Sequence, residues 1–140
     1  MNNLAADPAQ AGRLQTMRLA LRSWQLEIHD TALVPEFERK HRAEQNTTTI
    51  YEMTRNPELY DLPAYLDAAD LATAGMPEHL PQLLELMEAE DSALRYWSAI
   101  GLLMLPEDAR SGAVPALVEA LEDESHEVRA YAAWALVKQE

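Results

Sequence analysis

The feature that most constrains this chain is an internal repeat with a spacing of 34 residues. Leu80–Leu102 aligns without a gap on Val114–Leu136. The alignment pairs identical residues at Pro81/Pro115, Leu83/Leu117, Glu85/Glu119, Glu88/Glu122, Glu90/Glu124, Arg95/Arg129, Ala99/Ala133 and Leu102/Leu136. A fixed period of this length is typical of a solenoid, in which each unit buries its apolar face against a neighbour. The repeat therefore predicts stacked units that hold partners rather than perform chemistry.

Composition and charge exclude several functional classes. Hydrophobic residues make up 48% of the chain, which is enough for a packed core, and the absence of Cys removes disulfides and thiolate zinc sites. The longest uncharged stretch, Tyr96–Pro106, is too short to span a membrane. Residues 76–140 carry 4 basic and 13 acidic side chains, so nucleic acid is a poor partner.

Helical patterns extend through the rest of the chain, and no alternating β-branched run predicts a strand. Gly12–Asp30 is predicted as one helix because Leu14, Met17, Leu21, Trp24 and Ile28 fall on a single stripe. A capping box at Thr49 and Glu52 predicts a short helix, and Pro63–Ala74 is predicted as another that Gly75 ends. The predicted repeat helices are Glu78–Ala89, Ser92–Leu105, Ala113–Glu122 and His126–Gln139.

The repeat unit resembles the HEAT family in its short, HEAT-like form. The turn is acidic, the motif Val128-Arg129 follows it, as Leu94-Arg95 does in the first unit, and a helix rich in small residues comes next. The resemblance implies that Arg95 and Arg129 bond turn groups of their own or the adjacent unit. Asp91 and Ser125 suit N-caps of the second helices, and the turn residue Asp123 has Ala89 as its counterpart. We expect an all-α fold, with an N-terminal helical segment followed by two HEAT-like hairpins.

The first thirty residues resemble the end of the catalytic domain of arylsulfatase-type sulfatases. The similarity lies in the run Asn3-Leu4-Ala5-Ala6-Asp7-Pro8 and in the following Leu14, Leu21 and Trp24. It implies three segments: 1–30 as the end of a sulfatase-like domain, 31–75 as a helical linker extension, and 76–140 as two HEAT-like repeats. It also implies a periplasmic or secreted parent, and calcium only in a catalytic domain that this chain lacks.

No catalytic residue can be assigned, and no cofactor or metal site is expected. The chain has no Cys/Ser-x-Pro-x-Arg motif, which supplies the sulfatase nucleophile, and His126-Glu127 lacks the second His of a zinc motif. The main hypothesis is a non-catalytic accessory region of a sulfatase-like sulfuric ester hydrolase. The alternative is a free-standing HEAT-like module for protein–protein interaction. A role in bilin attachment rests on repeat similarity alone.

Two groups of residues are candidates for contact with other proteins. The basic cluster Arg39, Lys40 and Arg42 faces the acidic repeats, a missing catalytic domain or a sulfated substrate, or it is solvated beside Glu38 and Glu44. On the last helix, Tyr131, Trp134 and Val137 are left over after its own hairpin is packed. We expect this surface to dock a missing repeat or to support weak self-association. The acidic net charge opposes self-association, so salt should promote it.

Overall fold

A computed structural model describes residues 4–5 and 7–138. The described chain is all-α, with no strand in these ranges, which confirms the predicted fold class. It divides into two compact units, Met1–Asp30 and Thr31–Glu140. Asn3 and Ala6 of the sulfatase-like run, and Gln139 at the predicted end of the last helix, lie outside the described residues. None of the described helices has the length and apolar character needed to cross a bilayer.

The first unit contains one long helix, α1 (Ala11–Glu27). A short 3-10 turn leads into it, and the Asp7 side chain caps that turn by accepting a 2.9 Å hydrogen bond from the backbone N–H of Ala9. The helix ends earlier than the predicted Asp30, because His29 takes a positive φ of 52° that no helix continues through. No α1 side chain is buried, and Trp24, on the predicted apolar stripe, is 56% exposed.

The second unit begins with three helices, α2 (Glu36–Gln45), α3 (Ile50–Met53) and α4 (Leu62–Ala74). The predicted capping box is present at the start of α3, where the side chains of Thr49 and Glu52 bond each other's backbone N–H groups. Gly75 ends α4 with φ of 63°, a left-handed conformation that glycine adopts without steric cost.

Two helical hairpins follow, and they correspond to the two predicted repeats. Their helices are α5 (Leu80–Met87), α6 (Ser92–Met104), the short α7 (Glu107–Arg110), α8 (Val114–Glu119) and α9 (His126–Val137). Short 3-10 turns at Pro77–His79, Ser111–Ala113 and Ala120–Glu122 extend α5 and α8. A Pro lies within the first two positions of both α5 and α8. Its missing N–H costs no hydrogen bond there, because the first N–H groups of a helix have no partner within the helix.

Helices α4, α6 and α9 pack side by side, and α5 and α8 pack against α6 and α9 as the first helices of the hairpins. Gly101 on α6 allows the close approach, because a Cβ there would lie 3.0 Å from the Cα of Ala72 on α4. Residues 31–75 and 76–140, which the sequence divides into two segments, therefore lie in one compact unit.

Two clusters of buried side chains hold the second unit together. The cluster between the hairpins contains Leu83, Met87, Ala99, Leu102, Leu103, Leu105, Ala113, Leu117, Ala120, Val128, Ala132 and Ala135. The other lies at the α4 side of the repeats and contains Leu33, Val34, Ala43, Met53, Tyr60, Leu62, Tyr65, Leu66 and Ala93. Trp97 of α6 joins this second cluster by donating its indole N–H to the Leu33 carbonyl oxygen at 2.8 Å. Residues 31–62 thus cover the face of the array that precedes the first hairpin.

Candidate functional site

The polar groups of the second unit gather at the two turns inside the hairpins, which precede α6 and α9. We call residues 88–91 the first turn and residues 122–125 the second turn. Asp91 caps α6 by accepting a 2.8 Å hydrogen bond from the N–H of Ala93. Ser125 caps α9 by accepting from the N–H of Val128, and the Asp123 carboxylate accepts a 2.7 Å bond from the N–H of Ser125.

Arg95 joins the two turns. Its Nη1 donates to the carbonyl oxygens of Ala89 and Glu90 in the first turn, both at 2.8 Å. Its Nε and Nη2 donate to the two carboxylate oxygens of Asp123 in the second turn, at 2.7 and 3.0 Å. The Arg95 and Asp123 side chains are only 11% and 9% exposed, so this bidentate pair is shielded from solvent.

The same pair shifts the pKa of both groups. Hydrogen bonding to Asp123 raises the pKa of the Arg95 guanidinium, in spite of burial, which lowers it. Burial by itself raises the pKa of Asp123, but the hydrogen bonds from Arg95 and from the Ser125 N–H outweigh burial and hold it below its ordinary value. Asp123 is therefore a carboxylate held ionised for structural pairing.

Arg129 repeats the first half of this arrangement one unit later. Its Nη1 donates to the carbonyl oxygens of Asp123 and Glu124, at 2.6 and 3.1 Å, and these two residues follow Ala89 and Glu90 by 34 positions. Its Nη2 contacts the His126 ring nitrogen Nδ1. Within residues 4–5 and 7–138, no carboxylate lies within ion-pair distance of Arg129.

Arg42, from the predicted basic cluster, lies on α2 against the first turn. Its guanidinium pairs with Asp91 and with Glu38, whose Oε1 is 2.7 Å from the Arg42 Nε. It also donates to the hydroxyl oxygens of Tyr65 and Ser92, at 3.0 and 2.8 Å. The hydrogen bonds to both carboxylates raise the pKa of Arg42 against the opposing effect of burial. Of the predicted alternatives for Arg42, contact with the acidic repeats is the geometry that the structure shows.

The other two residues of the predicted basic cluster have different surroundings from Arg42. Lys40 pairs with Glu36 at 2.6 Å on the exposed side of α2, where the two side chains are 60% and 70% exposed. The Arg39 Nε is buried and meets no hydrogen-bond acceptor among the described residues.

A groove of about 460 Å3 runs between α2 and the two turns. Its walls are mostly polar, and they include Glu38, His41, Arg42, Glu58, Glu90, Asp91, Ser92, Glu124 and Ser125. Phe37 of α2 contacts the His126 ring, with 5.5 Å between the ring centroids. The described residues contain no group of three His, Asp or Glu side chains placed to hold a metal ion. Glu38 and Asp91 in the wall of the groove are paired with Arg42, and Glu124 is paired with Arg95.

The three predicted contact residues on α9 differ in their surroundings. Trp134 is 58% exposed and Val137 is 68% exposed. Tyr131 is half-buried and packs edge-on against Tyr96 of α6, with 5.2 Å between the ring centroids. Burial and the adjacent Tyr131 raise the pKa of Tyr96 to about 12. Tyr131 is therefore mostly used inside the array, whereas Trp134 and Val137 remain available.

The repeat register explains why the exposed side of α9 is apolar. Tyr96, Ala99 and Leu103 share the face of α6 that packs against α9, since they are three and four residues apart. Their counterparts 34 residues later are Ala130, Ala133 and Val137, and all three are exposed. The open face of α9, defined as Ala130, Ala133, Trp134 and Val137, thus has the character of a surface that another helix covers in the preceding unit.

Sequence patterns did not identify two residues of the turn network, Tyr65 and Ser92. Both accept hydrogen bonds from Arg42, and Ser92 donates to the Glu38 carboxylate at 2.6 Å. Glu38 lies four residues before Arg42 on α2, so local spacing indicates that pair. Tyr65 and Ser92 come from α4 and α6, far from Arg42 in the chain, and no local spacing indicates their contacts.

The family model for HEAT repeats matches residues 68–137. The match begins within α4 and covers both hairpins, so it includes the helix that packs against the first repeat. No curated protein and no solved structure matches the chain. None of these comparisons supports the sulfatase resemblance of the N-terminal segment.

Proposed function

Because this chain belongs to the HEAT repeat family, whose repeats commonly mediate protein–protein interactions, we propose that it is an interaction module that binds a protein partner on the open face of α9. The observation that carries the proposal is the exposure of Val137, whose counterpart Leu103 is buried in the preceding repeat, beside the exposed Trp134. A contiguous apolar helix face of this kind marks an interaction site more often than an inert surface.

The composition of the open face suits the centre of an interface. Trp and Tyr are enriched among the residues that contribute most to binding, and Tyr131 already holds Trp134 in place, with 5.8 Å between their ring centroids. The small side chains of Ala130 and Ala133 let a partner helix approach closely. A stable interface buries about 800 Å2 on each partner, so contacts beyond α9 must contribute its rim.

Charge argues for a different protein as the partner rather than a second copy. Residues 31–140 carry 8 basic and 21 acidic side chains, so two copies repel each other at low salt. The same charge disfavours nucleic acid.

The module acts by binding alone in this proposal. Asp91 and Asp123 are paired with Arg42 and Arg95, and neither carboxylate is held neutral as a general acid would be. No structural observation favours a sulfatase origin, and the interaction function does not depend on one.

The test compares three forms of the full chain as baits in extract of the source cells. These forms are the wild type, Trp134→Glu and the control Tyr51→Glu, which changes a residue of α3 that is 66% exposed. Any protein retained by the wild type is then purified, and its affinity for all three baits is measured by calorimetry. We expect Trp134→Glu to weaken binding about thirtyfold or more, as loss of a central aromatic does, and Tyr51→Glu to leave it unchanged.

Two results would overturn the assignment of the surface. One is a partner that binds wild type and Trp134→Glu equally well. The other is a wild-type chain that sediments as a dimer at physiological salt, while Trp134→Glu is monomeric, because the open face would then be occupied by a second copy.

A further inference from the structure

The second helix of the first hairpin meets its first helix along a stripe of residues. On α6 this stripe consists of Leu94, Ser98 and Gly101, which are four and three residues apart. The Ser98 hydroxyl donates to the Leu83 carbonyl oxygen of α5 at 2.6 Å, and a Cβ at Gly101 would meet the Leu83 side chain. The short side chains of Ser98 and Gly101 thus let α5 lie directly on α6.

The same stripe recurs in the second hairpin. The counterparts 34 residues later are Val128, Ala132 and Ala135, and each is 0% exposed. They belong to the buried cluster that also contains Leu117 of α8. In both hairpins, therefore, this stripe of the second helix is buried.

A third stripe with this spacing lies on α4, which packs beside α6 as α6 packs beside α9. Its members are Ala64, Ala68 and Leu71, and they line a groove of about 630 Å3 between α4 and α5. Ala64 and Leu71 are only half-buried. We call this cavity the α4–α5 groove. Its lining residues all lie between positions 64 and 94, so the covering segment 31–62 does not contribute to it.

The α4–α5 groove has an apolar floor and an acidic rim. The floor is completed by half-buried apolar residues of α5, the first turn and α6, namely Leu86, Ala89 and Leu94. Asp67 on α4 and Glu85 on α5 are exposed and place one carboxylate on each wall. Because the chain as a whole also carries a net charge of −13, the groove attracts cationic ligands and repels anionic ones.

We propose that the α4–α5 groove binds a short amphipathic helix of a partner protein, with apolar residues along one side and Lys or Arg along both edges. The bound helix lies on α4 as α5 lies on α6. In α5 the apolar side is formed by Leu80, Leu83 and Met87, and the partner helix has the same three- and four-residue spacing. Its basic residues meet Asp67 and Glu85 on the two walls.

The size of the site indicates how the partner segment behaves. Helix α5 has 8 residues and is therefore about 12 Å long, so two to three turns of helix are enough to occupy an equivalent position. Isolated helices of this length are marginal in water, and the partner segment therefore becomes ordered as it binds. The groove is separate from the open face of α9, so this inference does not rest on the proposed function.

The test measures binding of a synthetic, fluorescein-labelled peptide to the full chain by fluorescence anisotropy at physiological salt. The peptide has leucines spaced as Leu80, Leu83 and Met87 are in α5, and arginines at the flanking positions. A scrambled peptide of the same composition keeps the charge and loses the apolar side. We expect the patterned peptide to bind at least tenfold more tightly than the scrambled one, and to become helical by circular dichroism when bound.

Two substitutions locate the binding in the groove. Glu85→Lys reverses one rim carboxylate at an exposed position, and Ala64→Arg places a long charged side chain on the floor. We expect each to weaken binding of the patterned peptide about tenfold or more. The matched control is Glu119→Lys, which makes the same charge change at the exposed position 34 residues later, outside the groove, and should leave the affinity within about twofold. Circular dichroism verifies that each variant is folded.

Thiol labelling gives a second measure of position. Because the chain contains no Cys, Gln82→Cys introduces a single thiol on the α5 wall of the groove. Saturating patterned peptide should slow its reaction with a maleimide reagent at least fivefold. Tyr51→Cys, at a residue that is 66% exposed and outside the groove, should react at the same rate with and without peptide.

Several results would overturn the inference. Equal binding of the two peptides, or equal loss with Glu85→Lys and Glu119→Lys, would show unspecific attraction between opposite charges. An unprotected thiol at position 82 would place the peptide elsewhere. A wild-type chain that forms a dimer at physiological salt, with Ala64→Arg monomeric, would show that a second copy occupies the groove. Trp134→Glu should bind the patterned peptide as the wild type does, so failure of this inference leaves the proposed function of the open face untouched.

Discussion

The two ends of the helical array in the second unit differ in how far their apolar side chains are buried. Before the first hairpin, residues 31–62 cover the array and bury Leu33, Val34, Met53 and Tyr60. After the last helix, α9 leaves Trp134 and Val137 exposed. A repeat array must have its apolar faces covered at both ends, usually by units with a polar outer side. The comparison shows that residues 31–62 cover the apolar face at the first end. The open face of α9 at the other end is suited to being covered by a partner protein.

The electrostatic contacts show the same contrast. At the covered end, the Arg42 guanidinium meets the carboxylates of Asp91 and Glu38, and the side chain is 14% exposed. At the open end, Arg129 bonds backbone carbonyl oxygens and His126 within the described residues. The covered end should therefore respond strongly to substitution, and the open end should tolerate it until a partner binds.

The largest expected effect is at Arg42. The substitution Arg42→Met leaves the carboxylates of Asp91 and Glu38 without their cation in a mostly shielded site. Removing one partner of such a pair lowers the free energy of unfolding by about 3 kcal/mol. Urea denaturation followed by circular dichroism measures this loss.

Lys40→Met is the matched control for that experiment, because Lys40 is on the same helix and its ion pair with Glu36 is exposed. We expect no measurable change in its unfolding midpoint. Equal destabilisation by the two substitutions would contradict the view that α2 is fastened to the first turn through Arg42.

The next effect compares the same substitution at the two ends. Val34 is 1% exposed in the covering segment, whereas Val137 is 68% exposed on α9. Val34→Ala removes two buried methyl groups and should lower the free energy of unfolding by about 2 kcal/mol. Val137→Ala should change it by less than about 0.5 kcal/mol in the absence of a partner. Comparable losses in urea denaturation would show that the two ends are equally packed.

The sequence predicted the repeated part of the molecule well, because the information there is local and periodic. The 34-residue register located α5, α6, α8 and α9, and the HEAT resemblance implied that Arg95 and Arg129 bond turn groups. The exposure of Trp134 and Val137 matches the surface expected from the register. In these regions each residue has a counterpart one repeat away, so the two units constrain each other.

The sequence predicted the capping box of α3 within the covering segment. It did not predict how this segment packs, because its contacts are long-range and have no repeat. Arg42 meets Asp91 across 49 residues of chain, and Trp97 bonds the Leu33 carbonyl oxygen across 64. The apolar stripe of α1 shows a different limit. Its periodicity predicted a helix, and the helix is present, but periodicity alone does not say whether a stripe is covered.

The smallest expected effect is a dependence of stability on acid that belongs to the covered end and to the junction between the repeats. Burial raises the pKa of Asp91, but hydrogen bonds from Arg42 and Tyr65 outweigh burial and hold it below the ordinary value of 3.8. A carboxyl group with a lowered pKa in the folded state stabilises the fold at pH values above its unfolded pKa. That contribution disappears as pH falls from the ordinary value of 3.8 through the lower folded pKa, so unfolding should become easier as pH drops through this range. Asp91→Asn should have a shallower slope of unfolding free energy over this range than the wild type, as measured by urea denaturation at a series of pH values. Asp123→Asn should act likewise, because Arg95 and, more weakly, Arg129 hold the pKa of Asp123 below its ordinary value. A slope that Asp91→Asn leaves unchanged would show that the covered end is held by its apolar cluster alone.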